Sequence, residues 1–180
     1  MDFFDVISSR RSIRQFENKP IEKNKVDQIL EAALRSPTSR GGRPWEFVIV
    51  SDPGLLDKIS KSRPGGAGFL KDAPLAIAVC ADPQKSGPWV EDATIAALTI
   101  QLAARALDMG SCWSQIRMRN YNDQKSSAQY VAEILGLPEN LKVECIIGLG
   151  YPAESKSPYD KKELLFDRVS YNHFGAKEYT

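Results

Sequence analysis

Arg10-Arg11-Ser12-Ile13-Arg14 puts three guanidinium groups and a hydroxyl within five residues. Arginine forks match phosphate oxygens two at a time, and a serine hydroxyl adds a short donor to the same anion. The stretch is a candidate phosphate site, with a solvated basic turn as the plainer reading. A second segment, Ser36-Pro37-Thr38-Ser39-Arg40-Gly41-Gly42-Arg43-Pro44-Trp45, joins a rigid proline to hydroxyls, a diglycine and basic residues. It runs directly into a β-preferring stretch. Such a loop offers hydroxyl and backbone donors to a polar ligand, or is a simple turn.

Other chemistry is poorly supported. His173 is the only histidine, so no metal constellation can form around imidazoles. Gly65-Gly66-Ala67-Gly68 lacks the lysine and spacing of a phosphate-binding P-loop. No GxGxxG follows an apolar strand, which excludes a Rossmann-type nicotinamide domain. Cys80, Cys112 and Cys145 are an odd set, each inside an apolar segment, and read as buried small hydrophobes. Glu91-Asp92 reads as the acidic first turn of a helix. Trp89 and Phe69 read as packing or stacking groups.

The elements that must position these residues follow from periodicity. A short helix is expected after Asp2, and Glu22 to Arg35 carries Val26, Ile29, Leu30, Ala33 and Leu34 at helical spacing. Ser36-Pro37 stops it. Glu46 to Val50, Leu75 to Ala81, Ser111 to Gln115 and Val143 to Leu149 read as strands. Asp52-Pro53 starts a short helix, and Ala128 to Leu135 forms another ending at Gly136. Val90 to Asp108 reads as a long helix, apolar almost all round, with Gly110 as its C-cap. A helix so apolar implies a large buried interface. The order gives an α+β or mixed α/β fold with helices covering a central sheet.

The chain has 180 residues, 42% apolar and 26% charged, the size and make-up of one soluble domain spanning 1–180. Its formal charge of +1 offers no general pull toward nucleic acid or an anionic membrane. The first residues show no secretory signal, and polar residues interrupt the longest apolar run. The expectation is a cytoplasmic protein, bound neither to nucleic acid nor to membrane.

Taken together and in order, the segments resemble the nitroreductase family of FMN enzymes. The family's "RRSxRxF" stands as Arg10 to Phe16, and its proline-serine loop leading to "PW" stands as Pro37-Thr38-Ser39 through Pro44-Trp45. Its glycine-cysteine-tryptophan strand stands as Gly110-Ser111-Cys112-Trp113-Ser114, and its closing motif as Ile146 to Pro152. The resemblance implies a central, mainly antiparallel sheet flanked by helices, a long helix at a homodimer interface, and an extended C-terminal arm over about 153–180. It implies FMN held between subunits: Arg10, Arg11, Ser12 and Arg14 on the phosphate and ribityl chain, and Pro37, Thr38 and Ser39 reaching the partner's flavin. Trp113, Ser114 and Gln115 would lie beside the ring, Arg43 at its pyrimidine edge, and Lys161 or Lys162 on the phosphate. The family's usual asparagine and glutamine in the loop are Gly41 and Arg43 here, and its C-terminal arginine falls on Glu163. The implied reaction passes hydride from NADH or NADPH through the flavin to a nitroaromatic, quinone or similar flat acceptor in a ping-pong cycle. The rival readings are a non-catalytic flavin-binding or sensing dimer, and a module binding another phosphorylated ligand.

Overall fold

A computed structural model describes residues 1–178. In chain order the elements are α1 (Phe3–Ser9), α2 (Lys23–Leu34), β1 (Trp45–Val50), α3 (Pro53–Ser60), β2 (Leu75–Ala81), α4 (Trp89–Ala106), β3 (Gly110–Gln115), α5 (Ser127–Leu135) and β4 (Lys142–Gly150). Short 3-10 turns lie at Ser39–Gly41, Gly68–Asp72, Lys161–Glu163 and Phe166–Arg168. The strands form one antiparallel sheet in the order β1-β2-β4-β3, so β1 and β3 are its edges.

The continuous apolar runs of β2 and β4 occupy the centre because both of their faces are covered. Ile77, Val79, Cys145, Ile147 and Leu149 pack with Ile29 and Ala33 of α2 and Ala93, Ala97, Ile100 and Ala104 of α4. The alternate residues Ala76, Ala78, Cys80 and Ile146 pack with Leu56 and Ile59 of α3 and Val131 of α5. This period-two division fixes the register, since a one-residue slip would exchange the two faces. One interruption exists: Val79 pairs with Cys145 and Cys80 with Val143, leaving Glu144 as the extra residue of a β-bulge.

Helix ends follow local chemistry. Asp2 forms a capping box with Asp5, Asp52 caps α3 ahead of its proline, and Ser126 with Gln129 boxes α5. Gly136, at φ 64°, closes α5 in the left-handed conformation that glycine adopts cheaply. The end of α4 differs from the expectation for Gly110. Asp108 takes the left-handed position at φ 60°, with Met109 N–H donating to Ala104 O (2.9 Å) and Asp108 N–H to Arg105 O (3.1 Å). Gly110 instead begins β3, where a Cβ would stand 2.8 Å from the Ile13 side chain. The glycine is required by a close approach rather than by a helix stop.

Helix α4 does not bury its whole circumference within this chain. Ala93, Ala97, Ile100 and Ala104 face the sheet, whereas Ile95 and Leu98 remain 39% and 46% exposed. On α1, Phe3, Phe4 and Ile7 are exposed as well. Beyond β4 the chain carries two short turns and exposed Leu164, Leu165, Phe166, Val169 and Phe174. The last two residues of the expected arm, Tyr179 and Thr180, lie outside the described residues. Among the described residues no helix is long and apolar enough to cross a membrane, and no acidic, thiol or imidazole cluster suits a metal ion.

Candidate functional site

The arginine segment is built onto the outer edge of β3. Helix α1 ends at Arg10, whose N–H donates to Val6 O (3.0 Å). The chain then extends, so that Ser12 bridges Ser111 in parallel and Ile13 N–H donates to Ser111 O (3.0 Å). Gly110 makes room for Ile13 here. Farther on, Phe16 bridges Pro152, and Ala153 N–H donates to Gln15 O (2.9 Å). The segment thus lies between the β3 edge and the stretch leaving β4.

That stretch clamps it. One Glu154 carboxylate oxygen accepts from the Arg14 N–H (2.5 Å) and the Gln15 N–H (3.2 Å). Lys156 Nζ donates to Ser12 O (2.7 Å) and lies 3.3 Å from the Glu154 carboxylate. The Arg14 N–H and then Lys156 hold the Glu154 carboxyl below the ordinary carboxylate range. Arg11 donates to Ser157 O, and its guanidinium stacks 4.2 Å from the Tyr159 ring centroid. Among the described residues, neither Arg10 nor Arg14 pairs its guanidinium with a protein carboxylate.

Two cavities follow this strand edge. The first, about 150 Å³, is lined by Arg10, Arg11, Arg105 and Lys156 with Ser9 and Ser111, against the single carboxylate of Glu154. Arg105 Nε also donates to Ser9 Oγ (2.8 Å), which ties the end of α1 to the last turn of α4. The second, about 560 Å³, is lined by Arg14, Lys61, Arg63, the glycines 65, 66 and 68, Phe69 and Trp113. Four cations at one end and a wider, partly aromatic hollow beyond suit an elongated ligand with an anionic head.

On β3 itself, alternation separates the expected ring neighbours. Trp113 and Gln115 share a face, with Trp113 Nε1 donating to Gln115 Oε1 (2.9 Å). Ser114 points the other way, fully buried, with its hydroxyl donating to Gly66 O (3.4 Å). Ser114 therefore secures the glycine loop of the second cavity from behind.

The proline-hydroxyl loop sits elsewhere. Ser36 Oγ donates to Thr99 Oγ1 (3.1 Å), Thr38 Oγ1 accepts from the Arg43 N–H (3.1 Å), and Ser39 N–H donates to Asp92 Oδ1 (2.8 Å). The other Asp92 oxygen accepts from Ser86 Oγ (2.6 Å). Arg40 and Arg43 hold positive φ, at 51° and 42°, around Gly41 at 69°. Non-glycine residues in this region are strained and gather where a loop is held for a purpose. Arg43 lines a shallow hollow with Leu34, Trp45 and Phe47 beside the β1 edge.

Within one chain the two segments are far apart. The loop is anchored to the first turn of α4 through Asp92 and the arginine segment to its last turn through Arg105. Those anchors are thirteen positions apart, or about 20 Å of helix at 1.5 Å per residue.

Sequence reasoning missed Glu154, Lys156 and Asp92. Lys156 is the arm lysine that reaches the arginine segment; Lys161 and Lys162 lie on an exposed turn farther along. A signal was present, because Lys156 follows Pro152 closely enough to stay beside the sheet. Asp92 reads as a helix-dipole residue, yet it is 3% exposed and anchors the loop. The cysteines are buried and free, as expected. Burial pushes Cys80 up to about 12 and Cys145 well above the usual thiol range, so neither supplies a thiolate nucleophile.

Known proteins resemble this chain over most of its length. The model of the Nitroreductase family matches residues 7–63 and 60–151. A solved FMN-dependent nitroreductase from Clostridium difficile R20291 superposes with a TM-score of 0.93 and 45% identity, covering 95% of this chain and 99% of that one. A Methanothermobacter thermautotrophicus protein, provisionally named NADH dehydrogenase/NAD(P)H nitroreductase, is 35% identical over 93% of this chain and 84% of its own. The FMN reductase [NAD(P)H] of Bacillus subtilis is 25% identical over 92% of this chain and 72% of its own. An antiparallel sheet with the arginine segment on its edge, and matches over nearly the full length, place the chain in the nitroreductase family of oxidoreductases.

Proposed function

We propose that the chain is an FMN-dependent NAD(P)H oxidoreductase that works as a homodimer with its flavin sites between subunits. The observation that carries this reading is the row of cations along the β3 edge, with Arg10 and Arg14 left without carboxylate partners among the described residues. Uncompensated guanidinium groups on a fixed backbone are suited to an anion. The adjoining hollow suits a flat ring.

Arg10, Ser12 and Arg14, with Arg11, would hold the phosphate and ribityl chain. Lys156, already at Ser12 O, takes the arm role expected of Lys161 or Lys162. Pro37, Thr38 and Ser39 would come from the partner, because their own chain holds them about 20 Å along α4 from its arginine segment. Trp113 would wall the ring, Gln115 would orient that wall, and Ser114 would hold the loop behind it. Arg43 offers a cation at the pyrimidine edge across the interface. Bound there, FMN supplies hydride transfer, from NADH or NADPH to a nitroaromatic, quinone or similar flat acceptor. The protein's part is to bind, orient and exclude water. The hollow beside Trp113 would admit donor and acceptor in turn, which gives a ping-pong order.

The visible spectrum of purified protein, repeated after NADH addition without oxygen, tests the reading. The expected result is a yellow protein that bleaches. A colourless protein that takes up no FMN overturns it, and colour that persists favours a non-catalytic flavin binder. Replacing Arg10 and Arg14 together by alanine should lower flavin content severalfold, and unchanged occupancy would remove their assignment.

A further inference from the structure

Glu144 is the extra residue of the β4 bulge, 4% exposed, in a strand whose other residues after Lys142 are apolar or glycine. A bulge re-aims a side chain, and this one turns a carboxylate toward the end of β3. Gln115 Nε2 donates to Glu144 Oε1 (3.2 Å) and to Arg117 O (3.0 Å), with the Glu144 backbone O a longer third acceptor at 3.4 Å. Both amide hydrogens of Gln115 therefore meet acceptors. That leaves Gln115 Oε1 for the Trp113 indole N–H at 2.9 Å. A flipped amide would set oxygen against carboxylate and carbonyl, and NH₂ against the indole N–H. The flip is unfavourable at every one of these contacts, and the Glu144 carboxylate contributes the only charged one.

We propose that Glu144 is a positioning residue: through the Gln115 amide it fixes the Trp113 indole that walls the ring hollow beside Arg14. The inference rests on the reading of that hollow as the flavin site.

The groups facing the carboxylate also make the arrangement sensitive to pH. They are Gln115, Arg117 with Nε 3.8 Å from Oε2, Glu91 in the first turn of α4, and the neighbouring Cys145 thiol. Oε2 accepts no hydrogen bond among the described residues, and Arg117 leans toward the Trp89 ring, 5.6 Å from its centroid. Burial raises the Glu144 carboxyl above its ordinary range, with Gln115 and Arg117 opposing and Glu91 adding. Oε2 is the oxygen able to take the proton. Protonation there removes the charge that strengthens the hold on Gln115.

The test follows the indole N–H resonances of the purified protein by ¹⁵N–¹H correlation, with Trp113 assigned by its loss in Trp113→Phe. The Trp113 signal should titrate with a midpoint above the usual carboxylate range. Glu144→Gln should keep the signal but abolish the titration, and Glu144→Ala should displace it. A Trp113 signal indifferent to pH and to both substitutions overturns the proposal. Flavin release supplies the second arm. Glu144→Ala should speed it severalfold in the native background and leave it unchanged in Trp113→Phe; equal effects in both backgrounds overturn the route through Trp113. A colourless protein whose indole still responds would remove the flavin reading and leave the coupling standing. A yellow protein with a silent indole removes this inference alone.

Discussion

Asp92 holds two segments with one buried carboxylate, the Ser39 N–H at 2.8 Å and the Ser86 hydroxyl at 2.6 Å. Asp92→Ala leaves a buried N–H and hydroxyl unpaired, and should cost about 1–3 kcal/mol, read as a lower urea midpoint. Asp92→Asn keeps one acceptor and should cost less. An alanine variant with an unchanged midpoint would show that the loop does not depend on this anchor. The sequence places Asp92 correctly at the start of a helix, but nothing local reveals that a loop fifty residues earlier folds onto it. Arg10 to Arg14 were legible for the opposite reason. Their chemistry lies in close spacing along one stretch, whereas the acceptors and donors that clamp them come from Glu154 and Lys156 at the far end of the chain.

The stretch after β4 acts on the arginine segment as a strap, and its hold depends on pH. Because the folded Glu154 carboxyl is held low, folding favours its charged form. Its contribution is present above the ordinary carboxylate pKa and is lost as pH falls through the lower folded value. Flavin retention should therefore weaken on acidification in the native protein, and Glu154→Gln should flatten that dependence over the same window. Glu144 runs in the opposite sense: its raised carboxyl is penalised when charged, so its effect on stability worsens as pH rises from the ordinary to the raised value.

Strand and helix positions were readable from apolar periodicity because each element buries a defined face. The end of α4 was not. A glycine two residues beyond the turn looks like a cap, yet Asp108 accepts the left-handed position, and Gly110 is needed for Ile13. Gly110→Ala should force Ile13 away from the β3 edge and cost about 1–3 kcal/mol, with flavin loss at least as large as the drop in thermal midpoint implies. An alanine variant with native stability and flavin content would show that the segment yields freely.

Exposed Ile95 and Leu98 on α4, with Phe3, Phe4 and Ile7 on α1, leave apolar surface that a lone chain would have to keep in water. A second copy is the occupant that fits the proposed site between subunits. Leu98→Asp should shift the sedimentation profile toward monomer and release flavin together with it; a yellow monomer would refute the shared site. The separation of the two anchors along α4 has a further consequence for mixed assemblies. A protein crippled at Arg10 and Arg14, and another crippled in the Thr38–Ser39 loop, should each be severalfold weaker alone. Unfolded, mixed and refolded together, they would form hybrids in which one pocket inherits both defects and the other neither. Random pairing would then restore roughly a quarter of the pockets, so two weakened preparations would yield a mixture more active than either.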